Sequence, residues 1–310
     1  MLKKIYAALF ALTLISITLT TSVYAWFNTS KSSLVDGVEM GVGEDDNLYL
    51  SLDGINYQKN ITPEMLREHI GRTTRLTNIT SPDGKTFYAS PTSTRVYADP
   101  RTEYLTFDIY FKVVTDNPNE AAHQKYVYLA DRKTPSFELA PNTKGTFVVS
   151  RGVNWTSPID FNDGDIYVTA GENRLYHASN AVRIGVVNDE QELSFIYDPS
   201  ENEARGYGKL FGALDYYERR LGVRLVPPEA PNNMIYRLSN FSPLQDDIAL
   251  DKVSLVAETI LVNEVDGIYE YRGHAKVSIW IEGWDPDSMD AIQADILLIS
   301  LRFKAARFEN

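Results

Sequence analysis

Strict alternation of apolar and polar residues is the strongest pattern in this chain. Every second side chain of residues 105–113 is apolar, namely Leu105, Phe107, Ile109, Phe111 and Val113. Residues 275–284 and 297–303 show the same period of two. Because successive side chains of a strand point to opposite faces, this period predicts β-strands with one buried face and one wet face.

Shorter apolar runs predict further strands over residues 48–52, 126–130, 181–187, 193–197 and 253–262. The dipeptides Asp53-Gly54 and Asp83-Gly84 favour tight turns between strands. The chain also contains 19 tyrosines and 13 phenylalanines, residues that favour strands and fill sandwich cores. We therefore predict an all-β fold, an antiparallel β-sandwich.

A few helices are expected to decorate the sandwich. Thr62 followed by Pro63 predicts a helix that ends near Gly71, because threonine caps helix N-termini and proline suits the first helical position. A longer helix is predicted after Ser200, which can form a capping box with Glu203. The apolar face of this helix would consist of Leu210, Leu214, Tyr217 and Leu221, and Gly222 would end the helix.

The first half of that second helical segment is predicted to be a loop. Its glycines Gly206, Gly208 and Gly212 would each cost a helix about 1 kcal/mol. Prolines at 227, 228 and 231 make the following stretch stiff. Residues 200–243 are accordingly interpreted as an insertion across the sandwich and not as a second domain.

The N-terminus has the pattern of a secretory signal peptide. Residues 1–4 are short and basic, residues 5–20 are almost wholly apolar, and Val23-Tyr24-Ala25 supplies small residues for a signal peptidase. The alternative is a membrane anchor, but the apolar run is shorter than the ~20 residues that span a bilayer. We predict cleavage between Ala25 and Trp26, so that residues 26–310 form one secreted domain at the cell surface or outside the cell.

Charge and composition exclude several classes of function. The chain has 42 acidic and 30 basic residues, a net charge of −12, and loss of Lys3 and Lys4 with the signal peptide leaves 28 basic residues and −14. This balance argues against DNA or RNA as a partner, since phosphate binding needs clustered lysine and arginine. The absence of cysteine excludes disulfides, thiolate zinc sites and a cysteine nucleophile.

No catalytic motif is found. None of the four histidines lies in an H-E-x-x-H motif or an i, i+4 pair, and no G-x-S-x-G elbow occurs. Gly84-Lys85-Thr86 resembles the end of a phosphate loop, but the required earlier glycine is Ile79. We therefore predict that the protein is not an enzyme.

Calcium is the one cofactor that the residues favour. Asp160, Asn162, Asp163 and Asp165 place oxygen ligands in one loop, as hard cations require. Gly164 is one place early for an EF-hand, and no glutamate stands at the twelfth position. The alternative is that this loop, and the acidic stretches at 44–46 and 285–290, are solvated turns.

Four segments resemble the TasA/camelysin family of secreted bacterial proteins. They are the junction Ala25-Trp26-Phe27-Asn28-Thr29, the strand and turn at 48–54, the long strand at 104–113, and Val277-Ser-Ile-Trp-Ile-Glu-Gly-Trp-Asp-Pro286. The junction matches the aromatic residue that the family's specialised signal peptidase leaves after the cut. The insertion at 200–243 departs from the short members of the family.

The resemblance implies a jelly-roll-like sandwich that builds extracellular fibres of the biofilm matrix. Subunits would join head to tail when Trp26, Phe27, Asn28 and Thr29 of one copy add as a strand to the next, with other matrix or surface proteins as further partners. Strand addition suits this segment, because it is uncharged and aromatic and its alternate side chains can fill pockets. The metalloprotease activity described for camelysin is not expected, because the zinc motif is absent.

A monomeric surface module is the alternative to a fibre subunit. Such an adhesin would bind a glycan or a protein, and Trp155, Trp280 and Trp284 are the candidate platforms for sugars. These tryptophans are equally suited to the core of the sandwich. The five N-x-S/T sequons are interpreted as accidental in a chain rich in asparagine, serine and threonine.

Overall fold

The computed structural model describes residues 3–6, 8–11, 13, 32–43, 47–71, 75–89, 96–100 and 102–308. The strands in these ranges are β1 (Ser33–Val42), β2 (Leu48–Ser51), β3 (Asn60–Ile61), β4 (Arg75–Leu76), β5 (Asn78–Ile79), β6 (Leu105–Thr115), β7 (Tyr126–Leu129), β8 (Phe147–Ser150), β9 (Val153–Thr156), β10 (Phe161–Asn162), β11 (Tyr167–Val168), β12 (Asn173–Tyr176), β13 (Val182–Asn188), β14 (Leu193–Tyr197), β15 (Met234–Ile235), β16 (Ile248–Ala249), β17 (Leu255–Glu258), β18 (Ile260–Val265), β19 (Ile268–Glu282) and β20 (Ile296–Phe308).

The α-helices after residue 13 in the described ranges are α1 (Pro63–Ile70), α2 (Pro118–Ala121) and α3 (Ala213–Leu221). Residues 3–6, 8–11 and 13 are also helical. Among the described residues, no helix has the length and apolar character needed to cross a membrane.

Two sheets carry the fold, which confirms the predicted all-β sandwich. The first sheet has the order β17-β7-β20-β1-β3, with β4 added to β1 and with β8 and β16 added to β20. The second has the order β15-β14-β13-β19-β6-β2, with β5 and β18 added to β19. Most pairs are antiparallel, and the parallel pairs are β1–β20, β14–β15, β16–β20 and β5–β19.

The core lies between the two sheets and follows the predicted alternation. Buried and half-buried residues alternate along the whole of β6, so its apolar face packs inward. Leu297, Ile299, Leu301 and Phe303 of β20 are buried on the opposite side of the same core. The rings of Phe111 and Phe303 meet edge to face at 5.2 Å and join the two sheets.

The first predicted helix is confirmed at both ends. The Thr62 hydroxyl accepts a hydrogen bond from the amide of Met65, Pro63 is the first helical residue, and Gly71 ends α1 in the left-handed conformation. Glycine suits that end, because it adopts a positive φ without steric cost.

The helix predicted after Ser200 is shorter than its apolar pattern suggests. α3 begins only after Gly212, while Leu210 is 70% exposed and lies outside it. The Ser200 hydroxyl accepts from the amide of Asn202 in a local turn and caps no α-helix. The glycine-rich first half of the segment thus contains no α-helix, and its helical part is the short 3₁₀ helix Glu203–Arg205.

One predicted strand is in fact two. Residues 253–262 divide at Thr259, where the chain leaves β17 of the first sheet and enters β18 of the second. Both the amide and the hydroxyl of Thr259 donate to the carbonyl of Lys125, at 3.0 and 2.9 Å, and hold this crossing in place.

Candidate functional site

The chain enters the fold beside the loop that joins β19 to β20, residues 283–295. The predicted cleavage and donor residues, Ala25, Trp26, Phe27, Asn28 and Thr29, lie outside the described residues. The carbonyl of Ser32 accepts from the amide of Ala294 at 3.3 Å, and the Ser33 hydroxyl donates to the carbonyl of Ile292 at 3.0 Å. Any segment that precedes Ser32 therefore starts from this end of the sandwich.

The opposite end carries an exposed hairpin, formed by β18 and the first residues of β19. All six residues of β18 are exposed. Asp266 and Gly267 both have positive φ, as a tight two-residue hairpin turn requires. The exposed apolar side chains are Ile260 (63%), Leu261 (46%), Val262 (54%), Val265 (54%) and Ile268 (50%). The hairpin thus exposes five large apolar side chains to solvent, and a concentration of such side chains marks an interaction site.

The outer edge of β18 is open to a further strand. β18 pairs with β19 from Ile260–Arg272 to Val265–Ile268, and within the described residues it pairs with no second strand. Soluble proteins usually protect such an edge with lysine or proline, because it is a template for strand addition. The sequence of β18 contains neither, and its one charged residue is Glu264.

The open edge is far from the point where the chain enters. The pairing of β19 with β18 begins at Arg272, whereas Ile281 lies near the other end of β19. These residues are nine positions apart, which corresponds to about 30 Å of strand. Residues 26–31 would span only about 20 Å when extended. That segment is too short to reach the β18 edge of its own chain.

The predicted calcium loop surrounds the turn between β10 and β11. Asp163 is buried, and its carboxylate pairs with the guanidinium of Arg205 at 2.5 Å. Asp160 accepts from the amide of Ala170 at 2.7 Å, whereas Asn162 and Asp165 are exposed. Among the described residues no three histidine or acidic side chains are grouped closely enough to hold a metal ion. Calcium binding by this loop stays a prediction.

Three acids of the loop after β19 each meet a different arginine. Asp285 pairs with Arg183 of β13, and Asp287 pairs with Arg205 at 2.7 Å. Asp290 pairs with Arg220 of α3 and accepts from the hydroxyl of Tyr217 at 2.7 Å. Arg205 also binds Asp163, so one guanidinium joins the two acidic segments noted in the sequence. These ion pairs attach the 200–222 segment to the end of the sandwich.

The Arg183 cluster is the most buried of these contacts. The side chains of Arg183, Asp198 and Asp285 are 1%, 0% and 1% exposed, and Arg183 lies 2.9 Å from Asp198. Glu282 is also buried and accepts from the indole of Trp280 at 3.0 Å. Three carboxyl groups therefore face one guanidinium. Burial raises the pKa of Asp285 to about 8, although Arg183 opposes this shift, and burial also raises the pKa of Glu282.

Replacing Asp285 with asparagine is expected to change the pH dependence of stability. The folded protein holds a proton on Asp285 that the unfolded chain releases above about pH 4. The wild type therefore loses stability as the pH rises from about 4 to about 8, by at most about 1.4 kcal/mol per pH unit. Asparagine mimics the protonated acid and removes this slope. Urea unfolding of both proteins across this range measures the difference, and parallel curves would contradict the assignment.

The three candidate tryptophan platforms are occupied by packing. Trp280 and Trp284 are buried, at 0% and 5% exposure. Trp155 is half-buried and meets the rings of Phe161, Tyr176 and Tyr216 edge to face. Burial leaves Trp280 and Trp284 without an open ring face for a sugar, and Trp155 packs against the core through its three aromatic neighbours.

Comparison with known proteins gives no match, whether to a family model, to a curated protein or to a solved structure. The function is therefore inferred from the surfaces of the fold itself.

Proposed function

We propose that this protein is secreted and forms the subunit of an extracellular fibre that grows head to tail. The observation that carries the proposal is the open, apolar edge of β18 at the end of the sandwich opposite the chain's entry. In this assembly, Trp26, Phe27, Asn28 and Thr29 of one subunit add as a strand to the β18 edge of the next.

Donor and acceptor have matching chemistry. The donor segment begins with Trp26 and Phe27 and has no charged side chain before Lys31, so it can pair along an apolar edge without burying a charged side chain. Each large apolar side chain that becomes buried contributes roughly 1.5–3 kcal/mol to the free energy of association. Backbone hydrogen bonds to β18 add affinity that does not depend on side chains, and the side chains supply the specificity.

The geometry favours exchange between copies over closure within one copy. A segment of about 20 Å cannot cover an edge about 30 Å away on its own chain, whereas it can reach the edge of a neighbour stacked end to end. The contact joins two different surfaces, so it is heterologous and need not close into a ring. The resemblance to the TasA/camelysin family and the signal peptide support the same function.

Deletion of residues 26–30 is expected to leave a folded monomer that no longer assembles. The donor strand is lost, while the contacts described above within residues 32–308 involve none of the deleted residues. Intact mass first establishes whether the secreted wild type starts at Trp26, and sedimentation velocity with negative-stain microscopy then compares the two proteins. Filaments of the truncated protein would rule out donation from this end. Failure of the truncated chain to fold would assign the segment to its own subunit's core.

A further inference from the structure

A groove of about 500 Å³ lies on the outer face of the second sheet, beside the hairpin. Its base is formed by Arg272, Gly273 and His274 of β19, which pair with β6 on one side. One wall is the turn at residues 53–57, and the other is formed by residues 188–191 and the start of β18. Its size falls within the ~300–1,000 Å³ of small-ligand sites.

The imidazole of His274 provides an aromatic platform in this groove. It stacks on the ring of Tyr110, with centroids 4.7 Å apart and planes inclined by 32°. Gly54 lies against Tyr110 so closely that an added Cβ would be 3.4 Å from the ring. Tyr110 also lines the groove and is held between Gly54 and His274, so the imidazole and the phenol ring together form an aromatic platform there. Its Nε2 is fixed 3.1 Å from the carboxylate of Asp108.

The walls are held rigid by their own hydrogen bonds. The Asn188 side chain donates to the side chain of Gln191 at 2.8 Å and to the carbonyl of His274 at 2.6 Å. Gln191 in turn donates to the carbonyl of Glu258 at 2.7 Å. Arg272 is positioned by the hydroxyl of Tyr57 at 2.7 Å. A preformed site of this kind loses little conformational entropy when a ligand binds.

Charge and backbone pairing limit the chemistry of the ligand. Asp53, Glu190 and Glu258 line the groove against one guanidinium, so an anionic ligand would be repelled. The base strands β19 and β6 are paired with each other along their length, which leaves no open edge for a peptide strand at the base. A neutral ligand with a flat apolar face and many hydroxyl groups suits this lining, because its ring can stack on the imidazole while its hydroxyl groups can bond with both the carboxylates and the guanidinium.

We propose that this groove binds a neutral oligosaccharide, a function that goes beyond assembly. The C–H face of a pyranose ring stacks on the imidazole of His274. Its hydroxyl groups donate to the carboxylates of Glu190 and Glu258 and accept from Arg272. Binding at this site would attach the protein to a polysaccharide of the cell surface or matrix, both as a polymer and as a monomer.

The test is isothermal titration of the mature full-length protein with chitotetraose, cellotetraose and maltotetraose, and with tetragalacturonate as the anionic probe. We expect binding of at least one neutral probe and none of the anion. His274→Ala and Tyr110→Ala should each weaken that binding at least about tenfold, the equivalent of ~1.4 kcal/mol. Tyr49→Ala is the matched control, because Tyr49 lies on the same sheet in β2 but does not line the groove. It should bind like the wild type.

Three outcomes would overturn the proposal. They are failure of all neutral probes to bind at millimolar concentration, preference for the anion, and unchanged binding by a folded His274→Ala protein. Thermal unfolding of each variant establishes that it is folded. Lysine substitutions at Leu261 and Val265, which lie outside the groove, should abolish assembly and leave sugar binding unchanged. The two proposals can therefore fail independently.

Discussion

Replacing Arg183 with methionine is expected to destabilise the fold by about 3–5 kcal/mol, because it leaves buried carboxyl groups without their counter-charge. Asp198 would be left as a buried carboxylate without its ion pair, while Glu282 and Asp285 would lose the guanidinium that opposes the rise of their pKa values. Urea unfolding at neutral pH measures the loss.

Arg219 provides the matched control for this prediction. It also pairs with an aspartate, Asp215 at 2.6 Å, but its side chain is 44% exposed. Solvent screens such a pair, so Arg219→Met should cost no more than about 0.5 kcal/mol. Equal losses for the two variants would show that burial does not decide the strength of these ion pairs. A wild-type-like Arg183→Met protein would contradict the interpretation of the cluster.

The strands that build the core could be predicted because alternation is a local property. In residues 105–113 of β6 each inward residue is apolar and the next faces outward, so these nine residues are enough to assign the face of Leu105 and Val113. The same holds for the cap of α1, where Thr62 and Pro63 are adjacent. Alternation does not show which strands pair with each other. The parallel pairing of β1 with β20 therefore could not be predicted from it.

The ion-pair cluster could not be predicted, because its members are distant in sequence. Arg183 and Asp285 are separated by 102 positions, and Arg205 and Asp287 by 82. The acids at 285–290 were noted in the sequence, but their partners depend on how β13 and α3 are placed against the loop. A sequence alone offers calcium and arginine as equally reasonable counter-charges for such a loop.

The sequence of the exposed hairpin resembles that of a buried strand. Residues 260–262 are three consecutive apolar residues, which resembles a buried strand, and so they were joined to β17. The turn Asp266-Gly267 is an ordinary hairpin signal and marks the end of β18. Apolar residues on both faces before such a turn fit either a buried strand or an interface, and exposure distinguishes the two.

Replacing Leu261 and Val265 together with lysine is expected to abolish fibre assembly without unfolding the subunit. Both side chains are about half exposed, so the fold loses little when they change. If both are buried by the incoming strand, their loss removes roughly 3–6 kcal/mol of association energy. This raises the concentration needed for assembly at least about 100-fold. Two lysines on an edge strand are also the means by which natural sheets prevent strand addition.

Leu210 and Leu244 supply the control for apolar-to-lysine changes as such. They are 70% and 93% exposed and lie outside any strand, so their replacement adds the same charge without altering an edge. Sedimentation velocity and negative-stain microscopy should find filaments for this control and monomers for the β18 variant. If both variants assemble like the wild type, the β18 edge is not the acceptor. If both fail, added positive charge anywhere on the subunit opposes assembly, and strand addition at β18 loses its support.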